Sequence, residues 1–260
     1  MTTNAYFDVR TLASPTEGSS GCPVVGCSAA LGQVDSRWGP MPHCPDHSIR
    51  IHEGTRTFAY HNGVDADSRR VAALRNILFE SDHFRNHFLG NAAKAETHRI
   101  CHENSEDALT WNVFSRLANA GALSKLLGTF ANTSIVDEPE LYLWGLGVRL
   151  EDASPPSLFP PLVGARGAFE AGISKFLTEP DIMLYVPGQL LVVVEAKFTS
   201  GNTIASADGS QDVEGEKPKS QAGLLRRYSA TSLPAGALLQ TSPSGAFYSQ
   251  LYRNLVFAIH

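Results

Sequence analysis

Glu179-Pro180-Asp181-Ile182-Met183-Leu184-Tyr185-Val186-Pro187-Gly188-Gln189-Leu190-Leu191-Val192-Val193-Val194-Glu195-Ala196-Lys197-Phe198 is the stretch on which the reading of this chain turns. Two apolar runs rich in Val, Leu, Ile and Tyr flank Pro187-Gly188, a pattern that predicts two strands joined by a tight hairpin. Asp181, Glu195 and Lys197 punctuate those runs. A pair of carboxylates set beside a core is costly unless it binds something, and a divalent cation is the natural occupant.

The hairpin register decides whether these groups meet. A three-residue loop, 187–189, sets Asp181 directly opposite Glu195, and the period of two along a strand sends Glu195 and Lys197 out of the same face. A two-residue loop instead pairs Glu195 with Pro180 and turns Asp181 to the other face, unless a bulge restores the alignment.

Pro180-Asp181, thirteen residues, then Glu195-Ala196-Lys197 at the end of a Val-rich strand resembles the motif of the PD-(D/E)xK nuclease superfamily. The likeness extends over roughly residues 100 to 260. It implies an α/β fold with a mixed central β-sheet flanked by helices, of the restriction-endonuclease type. It also implies Mg²⁺- or Mn²⁺-dependent hydrolysis of phosphodiester bonds. On that resemblance Asp181 and Glu195 are metal ligands, the carbonyl of Ala196 completes the shell, and Lys197 orients or deprotonates the attacking water. Each residue also has a plainer reading: a solvated Glu-Lys pair on an edge strand, and an Asp in a strand-entry turn.

The resemblance further implies an acidic residue from a helix ahead of the sheet. Residues 105–117 begin with Ser105, suited to N-capping, and continue with Leu109, Val113, Phe114 and Leu117 on one face, a stripe that includes Glu106. Glu106 is therefore a candidate catalytic residue, or else a first-turn acid complementing the helix dipole. Residues 217–228 read as a helix entered after Pro218 and resemble the superfamily's helix beyond the motif. Gln221, Arg226 and Tyr228 are its candidate nucleic-acid contacts, while Arg227 reads as solvated.

A second constellation lies near the N-terminus. Cys22-x4-Cys27 and Cys44-x2-His47, separated by sixteen residues, form two ligand pairs at knuckle-like spacing, as tetrahedral Zn²⁺ requires. Three of the four cysteines fall in this window. Free thiols and a disulfide are the alternatives, and His43 and His52 are alternative fourth ligands. A zinc ion here would be structural, holding a stretch with too few apolar residues to fold alone. His83 and His87 are four apart on a helix expected over about 67–89, without the Glu of the protease pattern, and read as surface or helix-end residues.

The remaining organisation follows from composition and pattern and, for the nuclease-like part, from what the resemblance implies. Residues 1–60 form an N-terminal segment with the zinc module, loose before residue 19; 61–95 form a helical linker, and 96–260 the nuclease-like domain. Leu141–Leu150 reads as one strand, and the prolines of 152–168 as a long loop. Residues 122–130 and Phe247–Ile259 read as helices, the latter with Leu251, Leu255 and Val256 on one side. Ala235–Gln240 reads as a strand, and 200–215 as a mobile Gly/Ser/Asp-rich segment.

A chain of 260 residues with 43% hydrophobic content can bury a full α/β core. Its formal charge of −5 is unlike that of a module binding nucleic acid by bulk electrostatics, yet compatible with an acidic metal site in a locally basic groove. No signal peptide or membrane-length apolar run is visible, which with reduced thiols fits a cytoplasmic location. The expected partner is nucleic acid, DNA rather than RNA, with no membrane; a homodimer is compatible. The alternative is a nucleic-acid-binding or interaction module on a nuclease-like scaffold that does not cleave.

Overall fold

In the computed structural model the described residues are 21–36, 39–52, 57–59, 73–79, 81–89, 100–102, 104–151, 155–172, 177–197, 204–206 and 246–259. The chain divides into two compact units, Met1–Val113 and Phe114–His260. Residues 100–113, grouped above with the nuclease-like part, thus belong to the first unit.

The first unit is built around a four-stranded antiparallel meander: β1 (Gly32–Ser36), β2 (Gly39–Cys44), β3 (Ile49–His52) and β4 (Thr57–Ala59). Cys44 pairs with Ile49 and Ile51 with Phe58. Alternation puts these four on one face, where Ile49, Phe58 and the buried Cys101 form a small core joined by Cys22, Val24 and Ile51. A second core gathers on Trp111. Phe84 meets it edge-on at 5.1 Å and His87 at 5.3 Å, while the Trp111 indole donates to the Phe79 carbonyl.

The continuous helix expected over 67–89 is not formed across its described part. Helix α1 (Ser81–Phe84) runs on as a π turn, Arg85–Leu89, and Ile77–Phe79 ahead of it are non-helical. Asn112 replaces the missing helical bonds there: its carbonyl accepts from Leu78 N–H and its amide donates to the Asn76 carbonyl. His87 is buried against Trp111 and is not a surface residue.

Helix α2 (Glu106–Asn119) starts where expected, with the Ser105 hydroxyl accepting from Ala108 N–H at 3.1 Å. Its buried side is different from the expected one. Ala108, Trp111 and Ser115 are buried, whereas Leu109 is 45% and Val113 42% exposed. The large indole sets the inward face, and Glu106 shares its stripe with the exposed pair.

In the second unit, helix α3 (Leu123–Ala131) precedes a sheet of four antiparallel strands in the order β6-β5-β7-β8. These are β5 (Glu140–Leu143), β6 (Leu146–Gly147), β7 (Ile182–Val186) and β8 (Leu190–Val194). The strand expected over 141–150 is broken into a hairpin at Trp144-Gly145. Both residues have positive φ, 53° and 83°, as a two-residue type I′ turn demands. Helix α4 (Pro160–Phe169) occupies part of the expected proline loop, because Pro160 and Pro161 fall at the first helical positions, where the missing N–H costs nothing.

Phe159 and Leu162 pack with Tyr142 and Met183 on one face of this sheet, joined by Tyr185, Leu191, Val193 and Phe257. Phe257 belongs to helix α5 (Ser249–Ile259), which follows β10 (Ala246–Tyr248), the antiparallel partner of β9 (Ile204–Ser206). In α5 Val256 is buried as expected, whereas Leu255 is exposed and Arg253 and Asn254 are buried.

The chain therefore combines helices with small antiparallel sheets. Every strand pairing among the described residues is antiparallel, where a mixed central sheet was expected. The expected loose residues 1–18, the helix over 217–228 with Gln221, Arg226, Arg227 and Tyr228, and the strand over 235–240 lie outside the described residues, as does 200–215 apart from β9.

Candidate functional sites

Pro187 and Gly188 close the β7–β8 hairpin. Gln189 N–H donates to the Val186 carbonyl at 3.0 Å, and Gly188 takes φ +70°, which favours glycine after proline in a type II turn. The paired residues run from Val186↔Leu190 to Ile182↔Val194. The loop is thus 187–189, and one further step sets Asp181 opposite Glu195. Alternation places both on the face that carries Met183 and Val193.

The side chains meet there. Lys197 Nζ lies 2.8 Å from Glu195 Oε1 and 4.0 Å from Asp181 Oδ2. The Glu195 side chain is 4% exposed, while those of Asp181 and Lys197 are about one-fifth exposed, so the cluster has a buried wall and an open side. Ala196 contributes its N–H, which donates to Asp181 Oδ2 at 2.8 Å and ties one strand's carboxylate to the other's backbone. Charge-assisted bonds of this kind fix a carboxylate more firmly than neutral ones.

Several groups that sequence reasoning did not single out hold this corner in place. Asn254 of α5 donates its amide to Glu195 Oε2 at 3.3 Å. Arg166 Nε donates to the Thr178 carbonyl, and the buried Glu170 carboxylate accepts from Thr178 N–H and from its hydroxyl at 2.6 Å. This grip fixes the chain three residues before Asp181. Trp144 N–H donates to the Asp181 carbonyl at 3.2 Å. Arg166 falls in the stretch 152–168 expected as a loop, and Glu170 follows it by one helical turn, at the C-cap of α4. Asn254 left one trace in the sequence, an amide in the apolar phase of an amphipathic helix.

Glu106 occupies the first turn of α2 and is half-buried. It lies in the first unit, whereas Asp181, Glu195 and Lys197 lie in the second.

The second candidate site is the cysteine–histidine group. Val24-Val25-Gly26-Cys27 forms a turn closed by Cys27 N–H donating to the Val24 carbonyl, with Gly26 at φ +82°. Pro45-Asp46-His47 turns between β2 and β3, with Ser48 N–H donating to the Cys44 carbonyl at 2.9 Å. These two turns bring one donor atom each from Cys22, Cys27, Cys44 and His47 within 4.8 Å of one another. Cys22 Sγ is 3.5 Å and Cys44 Sγ 3.6 Å from His47 Nδ1, and Cys27 Sγ is 3.9 Å from Cys44 Sγ.

Those separations fit zinc. With Zn–S near 2.3 Å and Zn–N near 2.0–2.1 Å, a tetrahedron has S···S edges of about 3.8 Å and S···N edges of about 3.6 Å. A disulfide would need the sulfurs at about 2.05 Å, and all four cysteines are free. Burial, reinforced by the neighbouring thiols, pushes the Cys22 thiol up to about 12, so a bound cation has to displace its proton. Arg75 braces the histidine by donating to the His47 carbonyl at 2.9 Å. The group therefore can bind zinc. Among the described residues its fourth member is His47 and not His43; the side chain of His52 lies outside them.

No helix among the described residues is long and apolar enough to cross a membrane. Comparison of the chain with protein-family models, with curated proteins and with solved structures returned no match.

Proposed function

We propose that this protein is a divalent-cation-dependent nuclease of the restriction-endonuclease type, hydrolysing phosphodiester bonds in DNA rather than RNA. The observation that carries this reading is the hairpin register, which puts Asp181 across from Glu195 with the Lys197 ammonium against both. Two carboxylates at a half-open corner offer the hard oxygens that Mg²⁺ or Mn²⁺ prefers, with positions left for phosphate oxygens. Such a cation, when bound, supplies Lewis-acid polarisation of the phosphoryl group.

The residues then divide the work. Asp181 and Glu195 hold the cation, and the Ala196 N–H keeps the Asp181 carboxylate aimed. Lys197 orients the attacking water and offsets the negative charge that builds on the phosphoryl oxygens. Roles for Glu106 and the Ala196 carbonyl, and nucleic-acid contacts by Gln221, Arg226 and Tyr228, rest on the resemblance to the PD-(D/E)xK superfamily. In the same reading Cys22, Cys27, Cys44 and His47 hold a structural zinc ion, since four protein donors leave no open position for chemistry.

The test is incubation of supercoiled plasmid, single-stranded DNA and RNA with Mg²⁺ or Mn²⁺. Wild type should cleave DNA, and Lys197→Ala should lose on the order of 100-fold or more in rate. The Lys197–Glu195 pair, closed at 2.8 Å, is also what a scaffold that binds nucleic acid without cutting would keep. If wild type and Lys197→Ala leave every substrate equally intact while retarding DNA in a gel, that second reading replaces the first.

A further inference from the structure

Glu195 is more deeply buried than either of its partners, and a buried carboxylate needs a donor for each oxygen. Lys197 serves Oε1, and Asn254 serves Oε2 from fifty-nine residues further along the chain. Asn254 is only 6% exposed within α5, and Phe257, one turn on, packs into the core on the same sheet face. Asparagine is a poor helix former and a costly side chain to bury, so packing alone does not account for an amide here.

The chemistry of the donor matters. A cation on Oε2 would neutralise the carboxylate that has to attract a metal ion, whereas an amide fixes its orientation and leaves its charge intact. The lysine side is different, because Lys197 stands 2.8 Å from Glu195 and 4.0 Å from Asp181 and can turn toward substrate only if something else keeps Glu195 in place. Asn254 is that second hold.

We infer that Asn254 is a positioning residue, which aims the Glu195 carboxylate for the divalent cation and so makes the C-terminal helix part of the site. The inference deepens the nuclease reading and rests on it. Its expected mark is on cation affinity, because losing a group that orients a metal ligand weakens binding by about 10–100-fold.

The experiment titrates Mn²⁺ into the zinc-loaded full chain by calorimetry, and in parallel into a plasmid-cleavage assay, for wild type, Asn254→Leu and Asn254→Gln. The leucine variant keeps the volume and loses the donor. It should raise both the Mn²⁺ dissociation constant and the half-activating concentration by about 10–100-fold, with cleavage at saturating Mn²⁺ changed far less. The glutamine variant retains an amide and should fall between. If Asn254→Leu does not fold, Asn254→Ser, too short to reach Glu195, carries the same comparison.

A wild type that binds Mn²⁺ and cleaves, with donor-less variants matching it at every concentration, would overturn the role of Asn254 and leave the nuclease reading standing. A wild type that shows no Mn²⁺ binding sensitive to Glu195→Gln would overturn both.

Discussion

Tyr142 illustrates how one buried group ties stability to pH. Its hydroxyl donates to Glu140 at 2.5 Å while its ring packs on Phe159, 4.6 Å between centroids. Burial, then the hydrogen bond to the Glu140 carboxylate, holds the hydroxyl well above its ordinary value of 10.0. The unfolded chain therefore gives up this proton first as pH rises, so the contribution is complete below pH 10 and is lost above it. Melting of wild type and Tyr142→Phe across pH 8 to 11 checks this. The gap should move in favour of the phenylalanine variant above pH 10, and a constant gap would contradict it. At the same scale, the grouping of Cys22, Cys27, Cys44 and His47 was legible in the sequence, because ligand type and knuckle spacing are properties of neighbouring residues.

Turns govern the elements. Gly188 and Gly145 both have positive φ, and a side chain at either costs roughly 1–2 kcal/mol from backbone sterics. They differ in their surroundings: a Cβ on Gly188 meets nothing within 4 Å, whereas one on Gly145 would lie 2.7 Å from Leu162 Cδ2. We expect Gly145→Ala to destabilise more than Gly188→Ala in urea unfolding. Equal losses would mean that Leu162 yields freely. The β7–β8 hairpin was legible in the sequence, since Pro-Gly flanked by β-branched residues is a local signal. Its three-residue loop was one of two registers the sequence allowed. The Trp144-Gly145 turn was not legible, because a bulky aromatic at positive φ runs against local preference and is held there by tertiary burial.

The chain forms two compact units, and a structural zinc ion in one of them would give the two different dependencies. All four residues of the cysteine–histidine group that can bind zinc lie in the first, and a domain with its own core can lose structure separately. Purified protein should contain about one equivalent of zinc. Removing it with a chelator should speed hydrogen exchange in β1–β3 and leave β5, β7 and β8 protected, with acidification acting in the same direction because the ligands must be deprotonated. Zinc-free protein with unchanged exchange in β2 and β3 would remove the structural role.

The sequence by itself determined what depends on neighbours along the chain: the hairpin and its alternation, the Ser105 cap, the knuckle spacing and the presence of a polar triplet at the end of an apolar strand. Only the tertiary structure decided which helix faces turn inward, that buried Trp144 takes a turn position at positive φ, and that Asn254 reaches Glu195. Periodicity and turn chemistry act over a few residues, whereas burial is set by whichever distant segment arrives to cover a surface. Trp111 displaced Leu109 from the core of α2 for that reason, and the C-terminal helix supplied a hydrogen bond that no reading of residues 179–198 contained.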